Sequence, residues 1–305
     1  MGSYCSTANN IKSHFYEVVD KSKFNKIYDN YDSLADLSNA LRVNGLEKCQ
    51  LILGIDYTAS NTQSGGHPVY KHRNLHTLSN DINDKNPYEQ VISIIGETLI
   101  NFDDDELIDV YGFGCSKTSD TSVFSLGCDY SSIPYSSNIS REYYDFNHRI
   151  KDVPIHKLDS VIHRYRQITP YVKLSGPTSF APIINRAVEL VKERNEYHIL
   201  LIISDGCVTN VKSTHQAIVN ASKYPLSIIC VGVGIGDGND GWKKMEQMDD
   251  DIPDRDFDNF QFVDFHKIMN KSENPQIDFA KHALMEIPQQ YEYITKYIMY
   301  NMKKG

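Results

Sequence analysis

Carboxylate and hydroxyl side chains gather at three points of this 305-residue sequence. Asp56, Thr58 and Ser60 stand at alternate positions directly after an apolar run. Asp205 follows a second apolar run, and Thr178 lies between the two in a short polar segment. Two carboxylates with three hydroxyls, and no thiolate or imidazole, suit a hard cation held by oxygen atoms. The residue types therefore favour Mg²⁺ or Mn²⁺ at this place.

A metal bound by only two carboxylates keeps part of its positive charge, so an acidic side chain of a protein partner could complete its shell. The competing interpretation is that Asp56 and Ser60 cap the helix that follows them. The residue types alone leave both interpretations open.

The elements that position these residues are predicted from hydrophobic periodicity. Continuous apolar runs predict strands buried on both faces, and a shorter run on each side of the sheet adds an edge strand. The predicted strands cover 51–55, 107–113, 123–126, 198–203, 226–233 and 261–263. Helical patterns alternate with them over 34–43, 87–101, 180–194 and 213–222. This alternation predicts an α/β fold with a doubly wound, mostly parallel sheet and helices on both faces.

Ligands of such sheets bind beyond the carboxyl ends of the strands. The polar segments that carry Asp56, Thr178 and Asp205 should therefore open on one edge of the sheet.

One domain accounts for the chain. Residues 1–25 are polar and predict a flexible arm, and 26–300 contain the domain. Within it, residues 129–150 are rich in Ser, Tyr and Asn and predict an inserted surface loop. Residues 275–300 predict a C-terminal amphipathic helix that Pro288 interrupts.

Composition excludes several classes of function. The net charge is −9 and no basic cluster stands out, which argues against a nucleic-acid partner. No apolar run reaches membrane-spanning length and no secretory signal opens the chain, so we expect it in the cytoplasm or nucleus. The six cysteines include no C-x-x-C pair, so no zinc knuckle is expected.

A lipid is the one membrane attachment that the sequence suggests. Met1 to Ser6 match the N-myristoylation pattern at Gly2, and Cys5 is available for palmitoylation. Two lipids would hold the chain at the plasma membrane. The same start can also arise by chance or through cloning.

Three weaker patterns predict no site. The glycines of 236–241 follow a late strand among aspartates, which favours a plain turn. The acidic stretch 246–258 fails the EF-hand register and predicts a solvated loop. His72 and His76 lack the glutamate of a zinc protease motif.

The stretch from Asp56 to Ser60 resembles the D-x-[ST]-x-S signature of the metal-ion-dependent adhesion site (MIDAS) in von Willebrand factor A domains. Thr178 and Asp205 match the second and third loops of that site. Longer stretches are similar to the copine A domain, namely 54–61, 86–89, 111–114, 176–182 and 257–263. The flanks 41–46 and 284–291 look like those of plant RING-domain ubiquitin ligases that carry this domain.

This resemblance implies a six-stranded von Willebrand A sheet, Rossmann-like, with one short antiparallel edge strand. It implies that Thr58, Ser60 and Thr178 contact the metal, with Asp56 and Asp205 close by or acting through water. It also raises the expectation of N-myristoylation. The paired C2 domains of copines and the RING finger of the plant ligases have no counterpart in this sequence, so it is not expected to be a RING ligase by itself.

Three functions are compatible with these features. The leading hypothesis is a non-enzymatic interaction module that captures an Asp or Glu of a protein partner through Mg²⁺ or Mn²⁺. A second is a substrate-binding or scaffold component of ubiquitin ligase signalling. A third is a Mg²⁺-dependent phosphotransferase of the haloacid-dehalogenase type, but such enzymes use D-x-D and Thr58 stands at the second position.

Overall fold

A computed structural model of the chain describes residues 33–43, 45–65, 74–103, 105–128, 153–234, 241–250 and 252–300. The predicted arm 1–25 with Gly2 and Cys5 and the predicted insertion 129–150 lie outside these residues, as do His72 and most of the 236–241 turn.

Seven strands form one sheet within the described ranges. They are β1 (Gln50–Asp56), β2 (Leu107–Phe113), β3 (Phe124–Ser125), β4 (Ile155–His156), β5 (His198–Ser204), β6 (Leu226–Gly232) and β7 (Phe260–Asp264). The order is β3-β2-β1-β5-β6-β7, and the pairs among β2, β1, β5, β6 and β7 are all parallel. The predicted doubly wound, mostly parallel sheet is confirmed.

The predicted number of six strands is wrong by one, because the edge beside β2 is built from two pieces. β3 pairs antiparallel with Tyr111 and Gly112, and β4 pairs antiparallel with Leu107 and Ile108. The residues 129–152 come between the two pieces. Two residues are too few to show a period-2 pattern, so β4 gave no signal in the sequence.

Helices pack on both faces of the sheet. They are α1 (Leu34–Val43), α2 (Ser60–Gly65), α3 (Pro87–Leu99), α4 (Leu158–Ile168), α5 (Ala181–Arg194), α6 (Val211–Ala221), α7 (Lys243–Asp250), α8 (Phe265–Met269), α9 (Pro275–Leu284) and α10 (Ile287–Tyr293). Both ends of α1 lie where the sequence indicates. Ser33 accepts a hydrogen bond from the Asp36 amide before α1, and Gly45 follows α1 with a φ of +103°.

The alternation of side chains along the strands divides the core into two clusters. Leu53, Leu201 and Ile229 belong to the cluster covered by α1, α3, α4, α9 and α10. Their neighbours Leu200 and Ile228 belong to the cluster covered by α5, α6 and α7. Because both faces are buried, the strands read as continuous apolar runs in the sequence.

The C-terminal helix predicted over 275–300 is divided. α9 ends at Leu284, α10 starts at Ile287 with Pro288 in its first turn, and a π-helical turn follows over Ile294–Met299. Pro288 lies at the start of α10, where a proline is tolerated, and not inside a helix. Part of the acidic stretch predicted as a loop is also helical, as α7.

A buried ion pair joins α3 to α4. Glu89 caps α3 by accepting from the Asn86 amide at 2.9 Å, while Asn86 accepts from the Glu89 amide at 3.0 Å. The other carboxylate oxygen of Glu89, whose side chain is 0% exposed, lies 2.6 Å from Arg166 Nη1. The pair therefore holds the start of α3 against α4.

No helix among the described residues is long and apolar enough to span a bilayer.

We expect Arg166→Met to lower the free energy of unfolding by about 3–5 kcal/mol, because it leaves the Glu89 carboxylate buried without its partner. Adding Glu89→Gln should recover most of the loss. Urea unfolding measures both. Lys48→Met is the matched control, since it breaks an ion pair with Glu196 whose side chains are 50% and 36% exposed, and should cost under about 1 kcal/mol. Equal losses in Arg166→Met and the control would refute the buried-charge argument.

Candidate metal centre

The two carboxylates predicted from the sequence end adjacent strands. Asp56 is the last residue of β1, and Asp205 directly follows the last residue of β5. β1 and β5 pair in parallel along six residues, so the two side chains emerge side by side at one edge of the sheet. Both residues are 0% exposed.

Three oxygen atoms of the cluster lie at the spacing of a metal shell. Ser60 Oγ lies 2.8 Å from both Thr58 Oγ1 and Asp205 Oδ1, and Thr58 Oγ1 lies 3.5 Å from Asp205 Oδ1. Neighbouring ligands of an octahedral Mg²⁺ are about 3 Å apart, given metal–oxygen distances of about 2.1 Å. The donor set thus fits a hard cation in both chemistry and spacing.

The Asp56 carboxylate is fixed by two donors. The Thr58 amide donates to Oδ1 at 2.8 Å, and the Ser204 hydroxyl donates to Oδ2. Burial and, after it, the nearby Asp205 charge raise the pKa of Asp56 to about 7, although these hydrogen bonds act in the opposite direction. A cation bound nearby would stabilise the charged form of the Asp56 carboxylate.

Thr178 is tied through its backbone to the loop that follows Asp205. Its carbonyl accepts from the amide of Thr209 at 3.0 Å and from the Thr209 hydroxyl at 2.9 Å. At the other end of the same segment, the Ser175 carbonyl accepts from the Ala59 amide. The Thr178 hydroxyl makes no hydrogen bond to the side chains of the other four predicted residues within the described structure. The three predicted loops nevertheless meet, as the fold prediction requires.

Asn61 belongs to the cluster although no role was predicted for it. Its side-chain amide donates to the Asp56 carbonyl and the Thr58 carbonyl at 3.1 Å, and to Asp205 Oδ1 at 3.2 Å. One side chain thus links the first and third loops. Its position directly after the D-x-T-x-S pattern is the signal that could have identified it.

His76 lies against the backbone of Asp56. Its Nε2 is 2.8 Å from the Asp56 carbonyl oxygen, and its Nδ1 is 2.7 Å from the Tyr165 hydroxyl. The ring is stacked between Tyr57 and Tyr88, with centroid distances of 4.7 and 4.1 Å. Burial lowers the pKa of His76 to about 3, so the imidazole is neutral at physiological pH.

Two glycines allow close packing around the aspartates. Gly114, with a φ of +77°, leaves room for the Thr58 methyl group, which a Cβ at this position would overlap. Gly234 leaves room in the same way for the Asp205 carbonyl. Both positions follow the ends of strands, β2 and β6, at the same edge of the sheet.

Hydroxyl groups are essential to any metal site here. No group of three or more His, Cys, Asp or Glu side chains with metal-binding geometry occurs in the part of the chain that the structure describes. A cation at this edge would therefore depend on Thr58 and Ser60 as well as on the two carboxylates.

Comparison with known families supports the resemblance. The copine family model matches residues 74–303, which is more than half of the chain. The chain belongs to the copine family. It is 45% identical over 266 residues to copine family protein 2 of Caenorhabditis elegans, a match that covers 87% of this chain and 3% of that protein.

Plant relatives match this copine chain equally well. The E3 ubiquitin-protein ligases RGLG1 and RGLG5 of Arabidopsis thaliana are 42% and 44% identical to it. These matches cover 95% and 88% of this chain but only 57% and 59% of the relatives. The chain thus spans less than two thirds of the curated relatives named here.

Solved structures resemble this copine chain only distantly. Manganese-loaded TRAP protein of Plasmodium vivax has a TM-score of 0.40 and 9% identity, covering 72% of this chain and 70% of that one. Mussel proximal thread matrix protein 1 with a zinc-occupied MIDAS motif has a TM-score of 0.42 and 13% identity, covering 77% and 46%.

We expect Gly114→Ala in this copine chain to lower the free energy of unfolding by about 2 kcal/mol, because the new methyl group overlaps Thr58 and the residue keeps a positive φ. Gly45→Ala is the matched control. Gly45 also has a positive φ, but a Cβ there meets nothing within 4 Å, so its cost should be about 1 kcal/mol. Urea unfolding compares the two, and a control as costly as Gly114→Ala would show that backbone strain alone is responsible.

Proposed function

We propose that this chain is a metal-dependent protein-interaction module. It would hold Mg²⁺ or Mn²⁺ at the cluster of Asp56, Thr58, Ser60, Thr178 and Asp205, and would capture an Asp or Glu of a protein partner there. Membership of the copine family supports an interaction role in general terms. Metal binding and the acidic ligand of the partner are proposed from the geometry of the cluster.

The observation that carries the proposal is the convergence of oxygen atoms in a buried place. Ser60 Oγ lies 2.8 Å from the oxygens of both Thr58 and Asp205, at the spacing of ligands around one small cation. Asp56, with a pKa of about 7, supplies a second buried negative charge that a cation would neutralise. Helix capping alone does not require two carboxylates in one buried cluster.

Each residue would have a distinct task. Thr58 and Ser60 would offer neutral hydroxyl oxygens, and Asp205 would offer charge directly or through water. Asp56 would act mainly by orienting the Thr58 amide, to which it is hydrogen bonded. When bound, the ion would supply an electrophilic position for an anionic ligand, because neutral hydroxyls leave much of its charge uncompensated.

A phosphotransferase is disfavoured by the state of Asp56. A nucleophilic aspartate must present a carboxylate oxygen to its substrate. Here one oxygen accepts from the Thr58 amide, the other accepts from Ser204, and the residue is 0% exposed. Thr58 also cannot serve as the acid or base of a D-x-D pair.

A second candidate is a substrate-binding or scaffold role in ubiquitin transfer. It is favoured by the 42% identity to an Arabidopsis E3 ubiquitin-protein ligase over 95% of this chain. The matched part contains the candidate metal centre, so the same partner-binding mechanism would serve that role. Ligation itself would require a RING or another catalytic component, which the residues described here do not provide.

We expect calorimetric titration of Mg²⁺ and Mn²⁺ into the metal-stripped chain to show one saturable site. Ser60→Ala and Thr178→Val should weaken it by about tenfold or more, because each removes a ligand oxygen. Asp159→Asn is the control, since Asp159 is an exposed acid in the first turn of α4, and should bind as the wild type does.

The same variants test partner capture. Proteins retained on the immobilised chain in Mg²⁺ should be released by a chelator, and Ser60→Ala should retain fewer of them while its melting temperature stays unchanged. Binding of both ions by Ser60→Ala at wild-type affinity would contradict the proposed site.

We expect the metal-free chain to lose stability as pH rises from about 4 through about 7 because of Asp56. The pKa of Asp56 in the folded protein lies above its ordinary value, so its contribution is fully present at low pH and is lost when the buried group ionises. Urea unfolding at about pH 5 and pH 8 measures the effect. Mg²⁺ should restore stability at the higher pH, where the carboxylate is charged, and have little effect at the lower one.

Asp56→Asn isolates this contribution. It stays neutral at every pH, so the difference between wild type and variant should vary with pH in the direction given. Burial also raises the pKa of Asp103 to about 7, but this carboxyl is distant in sequence and ionises in both proteins. Its contribution to the free energy of unfolding therefore cancels in the difference. A pH-independent difference would mean that Asp56 ionises in the folded chain as easily as in the unfolded one.

A further inference from the structure

The carbonyl oxygen of Asp56 is the meeting point of three donors. It accepts from His76 Nε2 at 2.8 Å and from Asn61 Nδ2 at 3.1 Å. The Tyr88 hydroxyl shares its one proton between this oxygen, at 3.1 Å, and Asn61 Oδ1, at 2.7 Å. All four residues are buried. So many donors on one backbone oxygen fix the peptide that follows the last residue of β1, and the direction of the Asp56 side chain with it.

The hydrogen bonds determine the tautomer of His76. A carbonyl oxygen only accepts, so Nε2 must carry the proton. Nδ1 of the neutral ring is then an acceptor, and the Tyr165 hydroxyl, 2.7 Å away, must donate to it. The Tyr165 oxygen in turn accepts from Asn86 Nδ2 at 3.2 Å. Each hydrogen bond therefore points the same way, from Asn86 to Tyr165, from Tyr165 to His76 and from His76 to the Asp56 carbonyl.

This chain of bonds ends in the rigid start of α3. Asn86 is the N-cap of α3 and is locked there by the reciprocal bonds with Glu89. Glu89 is paired with Arg166 on α4, one residue after Tyr165. The bonds thus connect Asp56 to two helices on one face of the sheet.

The short segment that carries His76 is itself docked on the first loop of the site. The Leu75 amide donates to the Asn61 carbonyl at 3.2 Å, and Asn74 donates to the Thr62 hydroxyl at 3.3 Å. The His76 amide closes a turn by donating to Asn74 Oδ1 at 2.8 Å. His76 therefore enters from a segment that touches the site residues along its length.

We propose that His76 is a positioning residue of the ion site, which transmits the rigidity of α3 and α4 to the Asp56 backbone through its Nε2–H tautomer. The inference rests on the proposed function for the ion, but the positioning of Asp56 is a property of the metal-free chain. An aromatic ring that merely filled this space could be a phenyl group, which would need only the stacking on Tyr57 and Tyr88. The two directional hydrogen bonds are what the positioning role requires.

Two variants separate stacking from hydrogen bonding. His76→Phe keeps an aromatic ring between the tyrosines but loses both bonds, whereas His76→Gln keeps a donor near the Nε2 position. Tyr165→Phe removes only the hydroxyl that holds Nδ1, and it carries the test if His76→Phe does not fold. Tyr197→Phe is the control for lost stability, since it deletes a buried hydroxyl that bonds Ser227 at 2.8 Å, at the opposite end of β5.

Hydrogen exchange of the Thr58 amide in the metal-free chain reports the position of Asp56, because this amide donates to the Asp56 carboxylate. We expect its exchange to rise about tenfold in His76→Phe and Tyr165→Phe, and to stay near the wild-type rate in His76→Gln and Tyr197→Phe. Mn²⁺ affinity should fall about tenfold in the same two variants. Ring ¹⁵N shifts of His76 should show the Nε2–H tautomer.

The outcomes distinguish the two proposals. If the wild type binds no Mn²⁺ but Thr58 exchange responds as expected, the ion-binding function is wrong and the positioning role of His76 stands. If His76→Phe and Tyr165→Phe lower the melting temperature as Tyr197→Phe does, and leave Thr58 exchange and Mn²⁺ affinity unchanged, His76 is a packing residue and the inference is wrong.

Discussion

The repulsion between two carboxylates inside one edge of the sheet is the constraint on which the site depends. Asp56 and Asp205 must lie side by side because β1 and β5 are adjacent and parallel. Burial makes their charges costly, and the surrounding donors reduce that cost. Asn61 and Ser204 each bring a polar hydrogen to one of the carboxylates. Two unpaired charges would otherwise be too unfavourable to keep in the interior.

The two faces of the sheet contribute differently to this edge. Beneath Asp56, the face covered by α3 and α4 is polar near the site, with stacked rings and an ion pair among the apolar side chains. On the opposite face, apolar rings reach the same edge, where Phe113 and Phe180 meet edge to face at 5.9 Å. Near the candidate site, the polar side chains that hold the Asp56 backbone therefore come from the face covered by α3 and α4.

The sequence predicted the sheet well because its strands are buried on both faces. The predicted bounds of the strand Leu107–Phe113 agree with those of β2. The positions of Asp56 and Asp205 at the ends of strands followed from the parallel order of β1 and β5. α4 was predictable in principle, since its apolar side chains recur at helical spacing. A two-residue strand such as β4 carries no such pattern.

The role of His76 could not be predicted from its neighbours in the sequence. Its partners, the Asp56 carbonyl and the Tyr165 hydroxyl, lie 20 and 89 residues away. A histidine can serve as ligand, base or hydrogen-bonding spacer, and only the three-dimensional position distinguishes these. The same holds for Gly114, whose importance depends on the nearness of the Thr58 methyl group.

The surface that would face a partner and the scaffold that holds Asp56 are encoded in separate stretches of the chain. The exposed Pro177 and Asn210 belong to loops that enter α5 and α6, on one face of the sheet. The support around His76 comes from α3 and α4 on the other face. Substitutions in the two exposed loops therefore need not disturb the aspartate. Gene duplicates of such a domain are free to change these exposed positions while they inherit the same support for Asp56.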